Sequence, residues 1–566
     1  MRVASESFIQ GAGAALTTAG GHRYARDGPS ASHLCLGRDR IPQKGNTMGR
    51  SINGWTSSAR GGIAKGRGRS PGWKAGVAAL GLLSACGPWE ARYEVNLLPQ
   101  ICATRPALGR TRYLRFRVTA PDMEPVERYV PVEQGTAELP IVPPGKGRVL
   151  EVRGYTDLPR AGGRVVALGR SRAFEVPASA GDARPTVSVA IRQVDTYTHP
   201  STAQGACESL AEPRAAHTAT LLEDGRVLLA GGYRTGSDGV DSTVSSAELF
   251  DPMTGAVTRV PALESPRAFH TATRLPGGKV LLAGGEVQTV EGVLPVRSAR
   301  VLDVAQGTST EVELAVARSH HAAAVDVGGR VLFVGGVGAG GEVVAQAEGY
   351  DPATGQVFSV STPVPRVGMA AMPVQDGRRI AVVGGSDGAE LRPEVLFFSF
   401  EGGSFVPVGE GARLREPRRD AALVPFGGPE RLLYVGGHAS PGGVEDARLL
   451  ASSELVSPDA ATQVSPGPQV FARSGLCAVA LPDGRVMTLG GRRGPVSDPH
   501  VELLVPGRDG AAPALLGLTP PAQPRHQHSC TVLEDGSVLI AGGQSEDGSQ
   551  RTTLDDLLVY TPVPLD

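Results

Sequence analysis

Apolar residues in this chain come in short runs. From about residue 205 onward, stretches of about four to six mostly apolar residues alternate with breaks rich in Gly, Pro and Asp. Runs that short predict strands, because helices need ten or more residues of 3.6-fold periodicity. The runs also recur. Residues 214–232 read RAAHTATLLEDGRVLLAGG, 267–285 read RAFHTATRLPGGKVLLAGG and 318–336 read RSHHAAAVDVGGRVLFVGG. Another strong copy, RHQHSCTVLEDGSVLIAGG, closes the series, with weaker copies between. The copies end at Gly231-Gly232, Gly284-Gly285, Gly335-Gly336, Gly384-Gly385, Gly436-Gly437, Gly490-Gly491 and Gly542-Gly543. The steps between first glycines are 53, 51, 49, 52, 54 and 52 residues, a steadiness that defines a repeat.

Each copy carries the same physics. A run such as HTATLL reaches a turn, Glu223-Asp224-Gly225-Arg226, and a second run, VLLA, ends in the Gly pair. Two short strands about an Asp-Gly or Gly-Gly turn make a hairpin, because that turn needs positive φ. The Gly pair then bends the backbone sharply with no side chain in the way. A variable loop follows, then a third strand ending in a turn (AELFDPMTG at 247–255, AEGYDPATG at 347–355) and a fourth such as VTRV at 257–260. About 50 residues in four antiparallel strands is a propeller blade. The expected fold is all-β, a seven-bladed β-propeller over 201–566. After Tyr560 only TPVPLD follows, so the seventh blade is expected to take its fourth strand from 206–210, just before the first repeat. That pairing removes an exposed edge.

These motifs resemble the kelch repeat, in the bacterial form marked by DGRVLLAGG and AELFDPxTG, over roughly 205–566. The resemblance implies a kelch-type propeller of the galactose oxidase-like superfamily. It departs in one respect: kelch blades often carry a Trp in the last strand, whereas Trp55, Trp73 and Trp89 all precede the array, and Val257 and Phe358 stand in comparable places. Upstream, runs such as YLRFRVTAP, RVLEVRGYTD and TVSVAIRQVD alternate with period two between Pro and Gly breaks. They predict a small β-sandwich of immunoglobulin or transthyretin-like type over 86–200.

The front end reads as an address. Lys65, Arg67, Arg69 and Lys74 precede the nine apolar residues 75–83, a run too short to span a bilayer. It ends in Leu83-Ser84-Ala85-Cys86, which resembles a bacterial lipobox within a signal peptide at 48–85. The resemblance implies a lipid anchor on Cys86 and a place in the bacterial envelope. By the enterobacterial sorting rule, Gly87 in place of Asp favours the outer membrane. Residues 1–47 precede Met48 and lack apolar periodicity; they read as a leader or an over-extended start.

The net charge of −1 sums unlike segments. Residues 1–85 hold 12 basic and three acidic groups, which leaves 44 basic against 54 acidic groups in the body. An acidic body argues against nucleic-acid binding, which needs phosphate neutralisation.

Chemistry-bearing residues fall mostly on the repeat itself. Arg214, Arg267, Arg318, Arg419, Arg473 and Arg525 lie 17 residues before their Gly pairs, with Arg366 displaced by one. His217, His270, His321 and His528 lie 14 before theirs. Recurrence argues for structure: an active site uses each blade differently. The arginines and histidines are therefore expected at the start of each blade, bonded to loops of the neighbour. Third-strand acids at Glu248, Glu348, Glu394, Glu454, Glu502 and Asp556 offer partners, while the second copy has Arg300 there. Kelch-fold copper radical oxidases need two Tyr, two His and a Cys crosslinked to Tyr. Tyr233, Tyr350, Tyr434 and Tyr560, with Cys477 and Cys530, leave no such set outside the repeat pattern. A G-x-S-x-G match at 384–388 and a G-x-G-x-x-G match at Gly336, Gly338 and Gly341 lack the strand–helix context that would give them meaning. No cofactor, metal site or catalytic constellation is expected.

Beyond Cys86, an exported chain can oxidise Cys102, Cys207, Cys477 and Cys530. Cys477 and Cys530 differ by one step in repeat register, which turns their side chains to opposite strand faces and disfavours their pairing. Cys102–Cys207 is preferred. The function expected is binding, to protein or glycan, through the loops at 233–246, 286–298 and 438–453. The alternative is a carbohydrate-active or copper-radical-oxidase-like propeller enzyme. Substituting Cys86→Ser should release the protein from membranes on fractionation; an uncleaved variant that still sediments with membrane would refute the lipobox.

Overall fold

The computed structural model describes residues 93–565, apart from 101, 103–105, 135–138, 179–182, 203–204, 261–265, 410, 430, 443–447, 459–462, 508–510 and 549. Cys86, the expected signal peptide at 48–85 and the expected leader at 1–47 lie outside the described residues.

The first seven strands are β1 (Glu94–Pro99), β2 (Tyr113–Ala120), β3 (Met123–Pro131), β4 (Gly145–Tyr155), β5 (Val165–Arg170), β6 (Phe174–Val176) and β7 (Thr186–Gln193). They hydrogen-bond in the order β1-β7-β5-β4-β2-β3, with β6 on β4 and β1 parallel to β7. Period-two alternation aims Phe116, Val118, Leu150, Val152, Val187 and Val189 into one core with Tyr93.

The repeats form seven four-stranded antiparallel sheets. Blade one comprises Thr218–Leu221, Val227–Ala230, Ala247–Phe250 and Val257–Val260. The first strands of the other six are Thr271–Arg274, Ala322–Val325, Val367–Val374, Ala422–Pro425, Cys477–Ala480 and Ser529–Val532. These first strands stand side by side, and that of blade seven adjoins that of blade one, so the ring closes. Second strands such as Val331–Val334 are buried along their whole length, because they face a neighbouring blade on both sides.

Closure does come from the N-terminal segment, but not at 206–210. Blade seven's outer strand is β8 (Tyr197–Thr198), pairing Thr198 with Val559 and Tyr197 with Tyr560. The expected offset failed because the crossover from outer to inner strand is 19 residues here, 199–217, against ten at 261–270. The segment at 206–210 packs beside the blade instead. Leu210 is buried and donates its N–H to the Asp555 carbonyl at 2.7 Å. Cys207 is bonded to Cys102, as expected.

Strand direction sorts the loops between two faces. The turns after strands one and three lie at one end of each blade; the Gly pairs and repeat arginines lie at the other. The N-terminal domain grips the first of these faces. Arg192 meets Asp535 at 2.5 Å and the Pro252 carbonyl at 2.7 Å, and Arg172 meets Asp251 at 2.9 Å. A chain beginning at Thr196 should melt well above one beginning at Pro200, which keeps 206–210 but loses β8. Equal melting temperatures would place closure elsewhere.

Candidate functional site

The repeat residues build the frame of the Gly-pair face. In all seven blades the second Gly donates its N–H to the carbonyl of the next blade's repeat arginine, at 2.8–3.0 Å, ending with Gly543 to Arg214. Both glycines of every pair hold positive φ. A Cβ on the first would strike that region: 2.0 Å from the Arg366 carbonyl at Gly335, 2.4 Å from the Arg267 carbonyl at Gly231.

The arginine side chains turn back into their own blades. Arg318 is fully buried, donates to the Gly335 carbonyl at 3.0 Å and meets Glu348 at 2.5 Å. Arg214–Glu248, Arg473–Glu502 and Arg525–Asp556 repeat this at 2.5, 2.7 and 2.8 Å. The carboxylates also accept backbone N–H groups of the segment leading to the arginine, as Glu348 does from Ala315 and Val316. The arginine side chains therefore bond within their own blades, and it is the arginine backbone carbonyls that bond the neighbour. In blade two Arg300 stands at the acidic position and bonds Ser309 and Glu311. Burial, and then Arg300, pushes Arg267 down to about 10.

Arg419 is not the repeat arginine of blade five. Arg418 is: it is buried, donates to the Gly436 carbonyl and pairs with Glu454 at 3.1 Å. The hairpin turn of blade five, 426–431, has one residue more than 222–226 of blade one, so counting back 17 falls on the wrong member of an Arg-Arg pair.

It is the histidines that cross between blades. His217 bonds Ser529 at 2.8 Å, His270 bonds Thr218 at 3.0 Å and His321 bonds Thr271 at 2.9 Å, each reaching the first strand of the preceding blade. Burial first, then Arg214, holds His217 down at about 3, neutral in the folded protein. His528 breaks the pattern: neither ring nitrogen has a hydrogen-bond partner. Beside it lie the free thiols of Cys477 and Cys530. As expected they form no disulfide, yet their opposite strand faces bring them close, because the facing surfaces of adjacent blades are opposite faces.

On this frame two positions per blade vary freely. Two residues after the repeat arginine stand Ala216, Phe269, His320, Gly368, Asp420, Gly475 and Gln527, every one at positive φ. Five carry N–H···O bonds to the preceding member around the axis, among them Phe269 to Ala216 and Asp420 to Gly368. Directly after each Gly pair come Tyr233, Glu286, Val337, Ser386, His438, Arg492 and Gln544. Bridges such as Ala215–Tyr233 and Arg419–His438 set these two groups side by side. Non-glycine positive φ costs of order 1–3 kcal/mol per residue, and such residues cluster at functional sites. Two sets of seven positions, each at the same place in every blade and mostly with different side chains, make this axial mouth the candidate site. Registering each copy on Arg and on Gly would have exposed it in the sequence.

The mouth is polar with an aromatic wall. Tyr233 stacks on Phe269 at 5.9 Å, and Phe269 on His320 at 4.1 Å. His320 Nε2 lies 3.5 Å from Glu286. Tyr233 donates to the Gln527 and Gln544 amide oxygens. Opposite, His438 meets Asp420 at 2.9 Å. Four hairpins, from blades six, seven, one and two, continue the mouth outward: Arg492–Arg493 with Val496–Ser497, Gln544–Glu546 with Arg551–Thr553, Tyr233–Thr235 with Asp241–Thr243, and Glu286–Thr289 with Gly292–Pro295. They latch to one another: Arg551 to Asp241, Thr235 N–H to Thr553, Gln288 N–H to Thr243. Among the described residues the other three blades have no such hairpin. Of the loops expected to bind, 233–246 and 286–298 lie here, while 438–453 sits on blade five. A cavity of about 150 Å³ opens at Tyr233, Phe269, Glu286, Arg492 and Glu546, and an open groove of about 870 Å³ runs between the blade-one and blade-seven hairpins. Arg551 lines both. The ring tyrosines are scattered: Tyr233 at the mouth, Tyr350, Tyr434 and Tyr560 inside strands of blades three, five and seven.

No protein-family model and no curated protein matches the sequence. Among solved structures, a fungal alcohol oxidase of the AA5 family in complex with copper is similar at 17% identity and TM-score 0.47, over 63% of this chain and 76% of that one. YjhT is similar at 13% identity and TM-score 0.41, over 54% of this chain and 99% of that one. The seven-bladed propeller stands on the seven sheets themselves.

Two outcomes follow from the frame. Arg318→Ala should cost about 3–5 kcal/mol of folding free energy, the range for breaking a buried pair, whereas Arg234→Ala on an exposed hairpin should stay within about 0.5 kcal/mol; equal effects by denaturant melts would refute the structural role. Because His217 titrates lower folded than unfolded, its contribution is complete above the unfolded value and is lost as pH falls toward about 3. His217→Gln should therefore flatten the stability–pH curve between about pH 6.5 and pH 3, read by melting at stepped pH.

Proposed function

We propose that this chain is a lipid-anchored envelope protein that binds a polar glycan at its axial mouth. The observation that carries the reading is the contrast at that face: arginine, histidine and glycine recur as frame, while the positions around the axis differ from blade to blade. A repeat needs no such asymmetry to fold; recognition of a ligand does. The chemistry fits sugar. Tyr233 and Phe269 give one small cavity an aromatic wall, and Glu286, Glu546, Gln527, Gln544 and Arg492 offer directional donors and acceptors around it. The adjoining groove gives an extended ligand somewhere to run.

The anchor rests on the basic run, the apolar run and Cys86. The Cys102–Cys207 disulfide supports export, because such bonds persist in oxidising compartments. The N-terminal domain holds the face opposite the mouth, which would leave the mouth pointing away from an N-terminal tether.

The test is retention of the full chain on a glycan array. Glu546→Gln and Arg551→Ala should each lower retention at least tenfold with unchanged melting temperature. Undiminished retention by both variants, or capture of peptides in place of glycans, would overturn the reading.

A further inference from the structure

The seam between blades six and seven departs from the repeat in one place. In blades one, two and seven the residue after the repeat histidine is a hydroxyl, Thr218, Thr271 or Ser529, and it takes the imidazole of the next blade's histidine. In blade six that position is Cys477. The imidazole that should find a hydroxyl there, His528, finds a thiol instead. Two residues beyond His528 a second thiol, Cys530, stands where blades one to four and blade six have Ala219, Ala272, Ala323, Ala371 and Ala478.

The three side chains converge. One ligand atom from each of Cys477, His528 and Cys530 lies within 4.8 Å of the others. Cys477 is 1% exposed, Cys530 4% and His528 0%. Both thiols are free, and both nitrogens of His528 lack a hydrogen-bond partner. An imidazole orphaned at both nitrogens costs more desolvation energy than the other repeat histidines, which lack a partner at Nδ1 alone. Ligand atoms that share one ion at about 2.0–2.3 Å stand about 3.5–4 Å apart, inside this envelope.

We infer that Cys477, His528 and Cys530 form a site for a soft, thiophilic metal ion that staples blade six to blade seven. Two thiolates and one imidazole suit monovalent copper in three-coordinate geometry, and zinc with one further ligand. Oxygen-seeking ions such as Mg²⁺ and Ca²⁺ are excluded by the donor set. Binding releases the two thiol protons and leaves the imidazole neutral, so occupancy falls in acid. Cys477 and Cys530 belong to the apolar cluster that also holds Leu489 and Ile540, so the role of a bound ion would be to hold this seam.

The repeat itself supplies the control. Cys477→Thr restores the hydroxyl of blades one and two, and Cys530→Ala restores the commonest residue of that position, so the double variant should fold. The full chain, reduced and handled without oxygen, is titrated with Cu(I) against a chromophoric chelator and separately with Zn(II). The expected result is one equivalent of either ion, a rise in melting temperature on loading, and loss of both effects in the double variant. X-ray absorption of the loaded wild-type chain should give two sulfurs and one nitrogen around the ion, a readout that does not depend on the variant folding. Failure to retain either ion, equal uptake by the variant, a first shell of oxygen and nitrogen alone, or a Cys477–Cys530 disulfide in the isolated protein would each overturn the site.

Discussion

Neighbouring blades are joined by one hydrogen bond made seven times, from the N–H of the second glycine to the carbonyl of the following blade's arginine. Everything at that end of the ring follows from the closeness this bond demands. The first glycine must lack a Cβ, because the arginine carbonyl occupies its place. The arginine, its backbone committed to one neighbour, turns its side chain inward and in six of the seven blades meets a carboxylate, blade two having Arg300 in that place. The carboxylate in turn holds the approach segment by its N–H groups. A charged pair in a core is weak evidence of net stability but strong evidence of fixed geometry. Here it sets the angle at which each blade starts.

Because the frame is so uniform, the fold was legible from the chain alone. Glycine spacing gave the blade number and turn residues gave the hairpins. What escaped was whatever depended on an absolute count or on three-dimensional facing. A single extra residue in the turn at 426–431 moved the expected arginine from Arg418 to Arg419. A nine-residue longer crossover moved the closing strand from 206–210 to Tyr197–Thr198. Period-two reasoning disfavoured a Cys477–Cys530 disulfide, and both thiols are free, but it did not show that the packing of two blades brings them together.

The candidate mouth was the least legible part, for the same reason that it is a candidate. Its residues share a conformation and not an identity, so no motif announces them. Ala216, Phe269, His320, Asp420 and Gln527 look like unrelated loop residues until their common positive φ is seen. The N-terminal domain follows the opposite logic: it binds the ring through arginines that meet the turns of blades one and seven, the two blades flanking the closure.

That closure also dictates an order of events during synthesis. β8 emerges from the ribosome about 360 residues before its partner Leu557–Tyr560. Local hairpins can assemble as they appear, because their contacts are close in sequence. The final seam cannot, and until it forms blade seven offers an open strand to any neighbouring chain. During that interval the Cys102–Cys207 bond keeps the waiting segment near the N-terminal domain. The vulnerable species for this protein is therefore a nearly complete ring, and its lifetime is set by the last strand to arrive.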